Sequence, residues 1–365
     1  MKQWGNSVAR FSDWKGNKMK NRPFYSIVIP AYNCADTILA TLESILAQTL
    51  GDYEVIVVND ESKDETDAVL QTFSKLHDRF STVCIENKGP GNARNIGIDM
   101  AKGQYLFMMD ADDEIEPDVL EAYRRIIVEQ NPDLIVASYN MKVLGGGQVV
   151  SKKQVLAPDA VYGSNEEFLD NLYPLMNKQL MYVIWNKVYK LDIIKEHKVS
   201  FPIYSSCEDR LFNLRYYKHA HKVVTTSNLM YQYTFEGKRS LTNRYLYNKF
   251  ETFVQFYDEL IDLTDKDRDG FSALFLKGVM SCIIPLHSDG CDLDYSQKRE
   301  YIRNILQHPQ VQYAVEKSAT DSMMRKVMKA LFASKSVTLN YMASGAMHIV
   351  SNLSPKLIEK MKGNF

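Results

Sequence analysis

Gln104-Tyr-Leu-Phe-Met-Met-Asp-Ala-Asp-Asp113 is the stretch on which the reading of this chain turns. An apolar run of strand length, Tyr105 to Met109, ends abruptly in three carboxylates, Asp110, Asp112 and Asp113. Short continuous apolar runs mark strands buried on both faces. In open α/β sheets ligands sit beyond the carboxyl ends of the strands, which is where these acids fall. Clustered carboxylates repel one another and raise each other's proton affinity, a cost that a bound divalent cation removes. One reading is therefore a metal-diphosphate site. The other is an acidic helix start, since Glu114, Glu116 and Pro117 follow and acids suit a helix N-terminus. Taken alone, the stretch leaves both open.

Working outward, the preceding segments alternate between two periods. Tyr25-Ser-Ile-Val-Ile-Pro30 is a β-rich run closed by proline, and Ala31-Tyr-Asn33 follows as a loop. Thr37 to Gln48 has helical spacing, with Asp36 as a candidate N-cap. A second strand, Tyr53 to Val58, ends in the polar loop Asn59-Asp-Glu-Ser-Lys-Asp-Glu-Thr66 and a helix from Asp67 to Leu76. Thr82 to Glu86 reads as a third strand, and a glycine loop leads to a helix from about Asn92 to Ala101. After the acidic stretch, Asp133-Leu-Ile-Val-Ala-Ser138 is another buried strand, and Gly145-Gly-Gly147 reads as a turn. This alternation predicts an α/β domain, doubly wound around a mostly parallel sheet. Ser164 to Tyr233 mixes aromatic helices with short strands around Trp185-Asn-Lys187 and Cys207-Glu-Asp209, and from Asn243 the chain reads as helical. The expected division is a loose arm over 1–22, the α/β domain over 23–242 and a helical region over 243–365.

Composition bounds the function. The chain has 365 residues, with 45% hydrophobic and 24% charged, ordinary for a globular protein long enough for two domains. A net charge of -1 gives no footing for nucleic acid as a partner. Five scattered cysteines with no paired spacing argue against a disulfide framework or zinc site and for a reducing compartment. The polar, basic N-terminus does not read as a signal peptide, and no stretch reads as long enough to span a bilayer. A cytoplasmic protein is expected, with the inner face of the plasma membrane as the surface it could touch.

Four further clusters carry chemistry. Asn59-Asp60 closes a strand, and a carboxylate there can accept from a uracil imide or from ribose hydroxyls; a helix-capping cluster is the plainer alternative. Gly89-Pro-Gly-Asn-Ala-Arg-Asn-Ile-Gly97 opens a helix with small residues and Arg94, suited to a phosphate or to a nearby carboxylate. Glu208-Asp209 follows Phe201-Pro202; on an extended chain the two would face opposite ways, leaving one as a general base toward a hydroxyl. A helix N-cap is again the alternative. Lys238-Arg-Ser240 could lend positive charge to a leaving diphosphate, or could be a solvated turn.

In order and strand-end placement these runs resemble a known family. Ser26-Ile-Val-Ile-Pro-Ala-Tyr-Asn33, Val57-Val-Asn-Asp-Glu-Ser-Lys-Asp-Glu-Thr66, Gly91-Asn-Ala-Arg-Asn-Ile-Gly97 and Asp110-Ala-Asp-Asp113 look like the family 2 glycosyltransferases of GT-A fold. Trp185-Asn-Lys-Val-Tyr189 and Glu208-Asp-Arg-Leu-Phe212 resemble the second half of that domain in bacterial, inverting members. The resemblance implies that Pro30, Ala31 and Tyr32 line a nucleoside pocket, with Asp60 at the uracil edge and Arg94 near the uridine and diphosphate. It implies a D-x-D element in which Asp110 lies near the ribose and Asp112 holds Mn2+ or Mg2+, with Asp113 on the acceptor side. Asp209 would be the general base, with Glu208 beside it, and Trp185, Lys238, Arg239 and Ser240 would support the acceptor or phosphate side. The implied donor is a nucleoside-diphosphate sugar, UDP-linked by preference. The implied acceptor is a hydroxyl of a glycan or lipid-linked saccharide in surface polysaccharide synthesis.

Two features depart from that pattern. The strand Tyr231-Gln-Tyr-Thr-Phe-Glu236 lacks the histidine or arginine expected near the serine loop, and no QxxRW-like motif of processive synthases occurs. In the helical region, Met323-Met-Arg-Lys-Val-Met-Lys-Ala-Leu-Phe332 would put Met324, Val327, Met328 and Leu331 on one face and Arg325, Lys326 and Lys329 on the other. Lys356 to Lys362 repeats the pattern around Leu357, Ile358 and Met361. Such a face suits an anionic membrane, a homodimer, or packing on the protein's own core. A sugar nucleotidyltransferase and a catalytically silent glycan-binding subunit are the competing functional classes.

Overall fold

A computed structural model of the chain describes residues 22–145, 148–204, 206–236 and 245–353. Its first four strands are β1 (Tyr25–Ala31), β2 (Tyr53–Asn59), β3 (Phe80–Cys84) and β4 (Tyr105–Met108). Helices α1 (Ile38–Leu46), α2 (Thr66–Leu76) and α3 (Pro90–Met100) connect them. All four strands are parallel in the order β3-β2-β1-β4, so the strand order reverses beside β1 and opens a crevice at its carboxyl end. Residues Tyr25 to Ile29 are buried, as are Val55 to Asn59 and Leu106 to Met109. That is why these strands read as apolar runs without alternation.

The rest of the sheet is mixed. After α4 (Val119–Gln130) come β5 (Leu134–Gly145), β6 (Gln148–Val155), β7 (Ala160–Tyr162), α5 (Asn165–Asp170) and α6 (Leu172–Asn177). Next follow β8 (Lys187–Lys190), α7 (Leu191–Glu196), α8 (Glu208–Tyr217) and β9 (Val223–Glu236). The short strand β8 runs antiparallel between β4 and β5, β9 runs parallel to β5, β6 pairs antiparallel with β5, and β7 pairs antiparallel with β9. Two local expectations change. Asp36 caps nothing, because α1 begins after Thr37 without a side-chain cap. Glu208 and Asp209 are not on an extended chain; they are the first two residues of α8, after Cys207 turns the backbone with φ 65°.

The helical region holds α9 (Lys249–Leu263), α10 (Arg268–Ile283), a 3-10 turn (Ile284–His287), α11 (Tyr295–Gln307), α12 (Pro309–Lys317), α13 (Met323–Ala333) and α14 (Val337–Leu353). Aromatic contacts tie it to the sheet domain. The Arg210 guanidinium lies over the rings of Tyr182, Phe253 and Phe256, and Arg215 on α8 pairs with Glu259 on α9 at 2.9 Å. The expected boundary at 242/243 falls within 237–244, outside the described residues, as do most of the N-terminal arm and the Lys356 to Lys362 segment. Arg22 is described and pairs with Asp192 at 2.6 Å. One stretch, Arg268–His287, is by length and composition apolar enough to cross a membrane, against the expectation that none would be. Two-thirds of it (67%) is buried inside the protein, as for a core helix.

Close backbone approach fixes α3 on the sheet. A Cβ at Gly97 would overlap Val28 Cγ1 on β1, so Gly97→Ala forces overpacking of roughly 1–3 kcal/mol. Urea denaturation of Gly97→Ala is expected to show a lower midpoint, partly restored when Val28→Ala is added. A double variant no better than the sum of the two losses would show that the Val28 contact is not the cause.

Candidate active site

The carboxyl ends of β1, β2 and β4 bring the expected groups to one crevice. Ala31 is buried at the end of β1, Pro30 is part-buried, and Tyr32 is 52% exposed at the mouth. Asp60 follows β2 and is buried, its two carboxylate oxygens accepting from the backbone N–H groups of Lys88 (3.0 Å) and Gly89 (2.9 Å). It therefore anchors the loop that opens α3 and does not cap α2. Its neighbours are also tied down: Ser62 Oγ accepts from Asn33 N–H at 3.0 Å, and Thr66 Oγ1 accepts from Cys34 N–H at 2.9 Å. These bonds knit the loop after β1 to the loop after β2.

Arg94 is the centre of the site. It rises from α3 into the interior, where it donates to Asp110 at 2.8 Å and to Asp209 at 3.0 Å, with Glu208 at 3.7 Å. Of the two partners that sequence left open for this guanidinium, phosphate or carboxylate, carboxylates hold it here. Phe201 lies beneath it, 5.6 Å from the guanidinium, and stacks on Phe212 of α8. Gly91 lets α3 come this near, since a Cβ there would sit 3.0 Å from the Pro202 carbonyl. The pairing holds Arg94 firmly in its charged form. One guanidinium nevertheless cannot neutralise three carboxylates. Burial pushes the Asp209 carboxyl up to about 7, Arg94 opposes, and the Glu208 and Asp110 charges add to the rise.

The acidic turn divides its three carboxylates by environment. The helix-start reading does not apply to them, because α4 begins only at Val119. Asp112 is exposed, yet the surrounding protein and then the Asp110 charge raise its pKa. Asp113 is buried and accepts from the Tyr231 hydroxyl at 2.8 Å, while that hydroxyl accepts from the Asp110 N–H at 3.3 Å. Burial, with the Asp110 and Asp112 charges, pushes the Asp113 carboxyl up to about 8. Asp113 thus faces the core in this structure, and Trp185 joins it there. Trp185 is 3% exposed and stacks on Tyr231 at 4.6 Å and on Tyr233 at 5.0 Å. Lys238, Arg239 and Ser240 lie outside the described residues.

Two residues were not singled out from sequence. Tyr231 supports the acidic turn, and its only signal was the period-two spacing of Tyr231 and Tyr233 on one strand. Lys187 is completely buried, its ammonium donating to the carbonyls of Leu180 and Val183 and to Asn186 Oδ1. Burial lowers its pKa, with Asp209 opposing. Nothing in the local pattern marks a lysine at the start of this short strand as buried.

Residues 26–197 match the model of Glycosyl transferase family 2. The chain carries a family 2 glycosyltransferase domain. This glycosyltransferase is 29% identical over 239 residues to the putative glycosyltransferase EpsH of Bacillus subtilis, covering 65% of the chain and 67% of EpsH. It is 28% identical over 215 residues to the poly(ribitol-phosphate) beta-N-acetylglucosaminyltransferase TarS of Staphylococcus aureus, covering 57% of the chain but only 35% of TarS. The crystal structure of TarS residues 1–349 in complex with UDP-GlcNAc matches with a TM-score of 0.63 at 19% identity, over 90% of this chain and 91% of that one. A mannosyltransferase from Pyrobaculum calidifontis, solved with GDP-Man and Mn2+, matches with a TM-score of 0.50 at 14% identity, over 92% and 89%. The fold is GT-A, and the chain is a transferase related to teichoic acid and polysaccharide glycosyltransferases. That sets aside the nucleotidyltransferase and silent-subunit alternatives.

Among the described residues no group of three His, Cys, Asp or Glu side chains is arranged to hold a metal. The donor set still fits a hard divalent cation. Such ions take one or two carboxylates and complete their shell with water and phosphate oxygens. Asp112 is exposed, and Asp110 uses one oxygen on Arg94.

The Asp113 environment makes stability depend on pH. Folded Asp113 holds its proton more tightly than an unfolded aspartate, whose pKa is about 4. Folding therefore takes up a proton between that value and about 8, and stability falls as pH rises through the window. Asp113→Asn mimics the protonated form and should flatten the fall, with an effect of at most about 5 kcal/mol by pH 8. Urea midpoints from pH 5 to 8 with chelator present measure this; parallel curves for the two proteins would refute it.

Proposed function

We propose that this glycosyltransferase moves a sugar from a nucleoside-diphosphate donor, UDP-linked by preference, to a hydroxyl of a glycan or lipid-linked acceptor, with inversion at the anomeric carbon. The observation that carries the reading is the buried Arg94, which joins Asp110 of the acidic turn to Asp209 of α8 through one guanidinium. Donor-side and acceptor-side carboxylates are thereby held at a fixed separation around one cation. TarS, bound to UDP-GlcNAc, supports a nucleotide-sugar donor, as does the mannosyltransferase bound to GDP-Man and Mn2+.

The nucleoside would enter the crevice beside Pro30, Ala31 and Tyr32. Asp60 would act there through the Lys88–Gly89 backbone that it holds as much as through direct contact. Asp110 would lie near the ribose, and Asp112, with the second oxygen of Asp110, would hold Mn2+ or Mg2+. When bound, that cation supplies Lewis-acid stabilisation of the charge on the departing diphosphate. Asp209 takes the proton of the acceptor hydroxyl as its oxygen attacks the anomeric carbon from the face opposite the leaving group. One displacement inverts the centre and requires no covalent glycosyl-enzyme. A carboxyl with a pKa of about 7 is poised for this, because it can both take up and release a proton near neutrality. Asp113 and Trp185 act beneath the site, fixing the turn through Tyr231.

Release of UDP from a panel of UDP-sugars with Mn2+, compared with the same reactions in chelator, tests the donor and metal together. No turnover or binding of any nucleotide-sugar would overturn the reading. Asp209→Asn should keep UDP binding and lose transfer by roughly 10²–10⁴-fold, whereas Asp112→Asn should weaken metal-dependent UDP binding. In the unaltered enzyme kcat/KM should rise with pH along a limb centred near 7, since only ionised Asp209 accepts the proton. Equal loss of UDP binding in both variants would contradict this division of roles.

A further inference from the structure

Helices α13 and α14 carry apolar residues on their outward side as well as on the side they bury. On α14 the polar residues point inward: Asn340 and Ser344 are fully buried. Asn340 donates to the Leu331 and Ser336 carbonyls at 2.8 and 3.0 Å, and Ser344 bonds His287 at 2.9 Å. Val337, Tyr341, Ala343 and Met347 pack against the core, and a second set of apolar residues points outward. Leu339 is 46% exposed, Met342 67% and Ile349 59%, and Ala346 is exposed between them. Their spacing of three, four and three places them in one stripe along the helix. The sequence-based face of α13 holds for Met328 and Leu331 and fails for Arg325 and Val327. Arg325 is buried, bonded to Asp321, Tyr173 and Asn177, and Met328 and Leu331 are buried with it. Val327 and Met323 lie outside, 43% and 75% exposed.

From Ser322 to Leu353 the sequence contains no aspartate or glutamate, and Lys326 and Lys335 are exposed. A helix pair that buries its asparagine and serine while exposing leucine, methionine and isoleucine is not arranged for water on that side. A second copy of the chain would bring lysine toward lysine, with no acid on the span to answer it. Anionic headgroups answer the lysines, and the acyl boundary beneath them accepts the apolar stripe. We propose that the outward face of α13 and α14 docks on an anionic lipid surface.

The test is flotation of the full chain with phosphatidylcholine vesicles, with and without phosphatidylglycerol. Binding is expected only with the anionic lipid and should weaken at high salt. The pairs Met342→Glu with Ile349→Glu, and Lys326→Glu with Lys335→Glu, should each reduce binding about tenfold or more. All four positions are exposed, so circular dichroism and thermal melting should match the unaltered protein. Absence of binding by the unaltered chain, or equal binding by the variants, would overturn the proposal. So would a dimer in sedimentation equilibrium that Met342→Glu with Ile349→Glu dissociates, because the face would then belong to a second copy. Binding that appears only after removal of residues 354–365 would assign the face to that segment and likewise overturn it.

Discussion

The buried guanidinium of Arg94 is the interaction on which the site depends. It draws α3, the turn after β4 and the start of α8 to one point, although these elements are separated in sequence by 16 and 115 residues. Removing one partner of a buried ion pair typically costs about 3–5 kcal/mol, because the remaining charges lose their counterion without regaining water. Here one cation serves three carboxylates, so the cluster retains excess negative charge even when intact. That excess has two consequences. It adds to burial, the larger cause, in keeping the Asp209 proton within reach of neutral pH, and it makes the crevice attractive to a cation.

The strands around this point were legible because they are buried on both faces. Tyr25 to Pro30, Tyr53 to Val58 and Tyr105 to Met109 read as apolar runs, and the structure places their ends together as the strand order required. Loop chemistry was less legible. Asp60 looks from sequence like a ligand or a cap, and it is instead a backbone anchor for another loop, a role set by tertiary contact. Glu208 and Asp209 followed Phe201-Pro202 and were read as extended, but the left-handed turn at Cys207 starts the helix there. Nothing in local propensity announces a non-glycine residue in that conformation.

The antiparallel strand β8 was the least legible element, and it matters most for support. It is only four residues long and begins with Lys187, which ordinary patterning would place on a surface. Inside the protein its ammonium finds three acceptors in the 180–186 segment, which compensates much of the cost of burial. The same segment presents the Tyr182 and Val183 carbonyls to Asn213 on α8. Trp185 in turn stacks on Tyr233 and on Tyr231, the tyrosine of β9 that holds the acidic turn. The motif Trp185-Asn-Lys187 is thus scaffold for both halves of the site and need not touch a ligand to be required.

The helical region extends that scaffold. Arg210 follows Asp209 directly in the sequence, and its guanidinium sits against Phe253 and Phe256 of α9. Arg215, further along α8, pairs with Glu259 on the same helix α9. A displacement of α9 would therefore drag the helix that carries the proposed base. A general base works only at hydrogen-bonding distance from the hydroxyl it serves, and misplacement of a catalytic group by about 1 Å can cost on the order of 10²-fold. With Asp209 as the proposed base, the aromatic and ionic contacts between α8 and α9 would serve catalysis as well as stability. The region that lacked a recognisable motif in sequence packs directly on the helix that carries it.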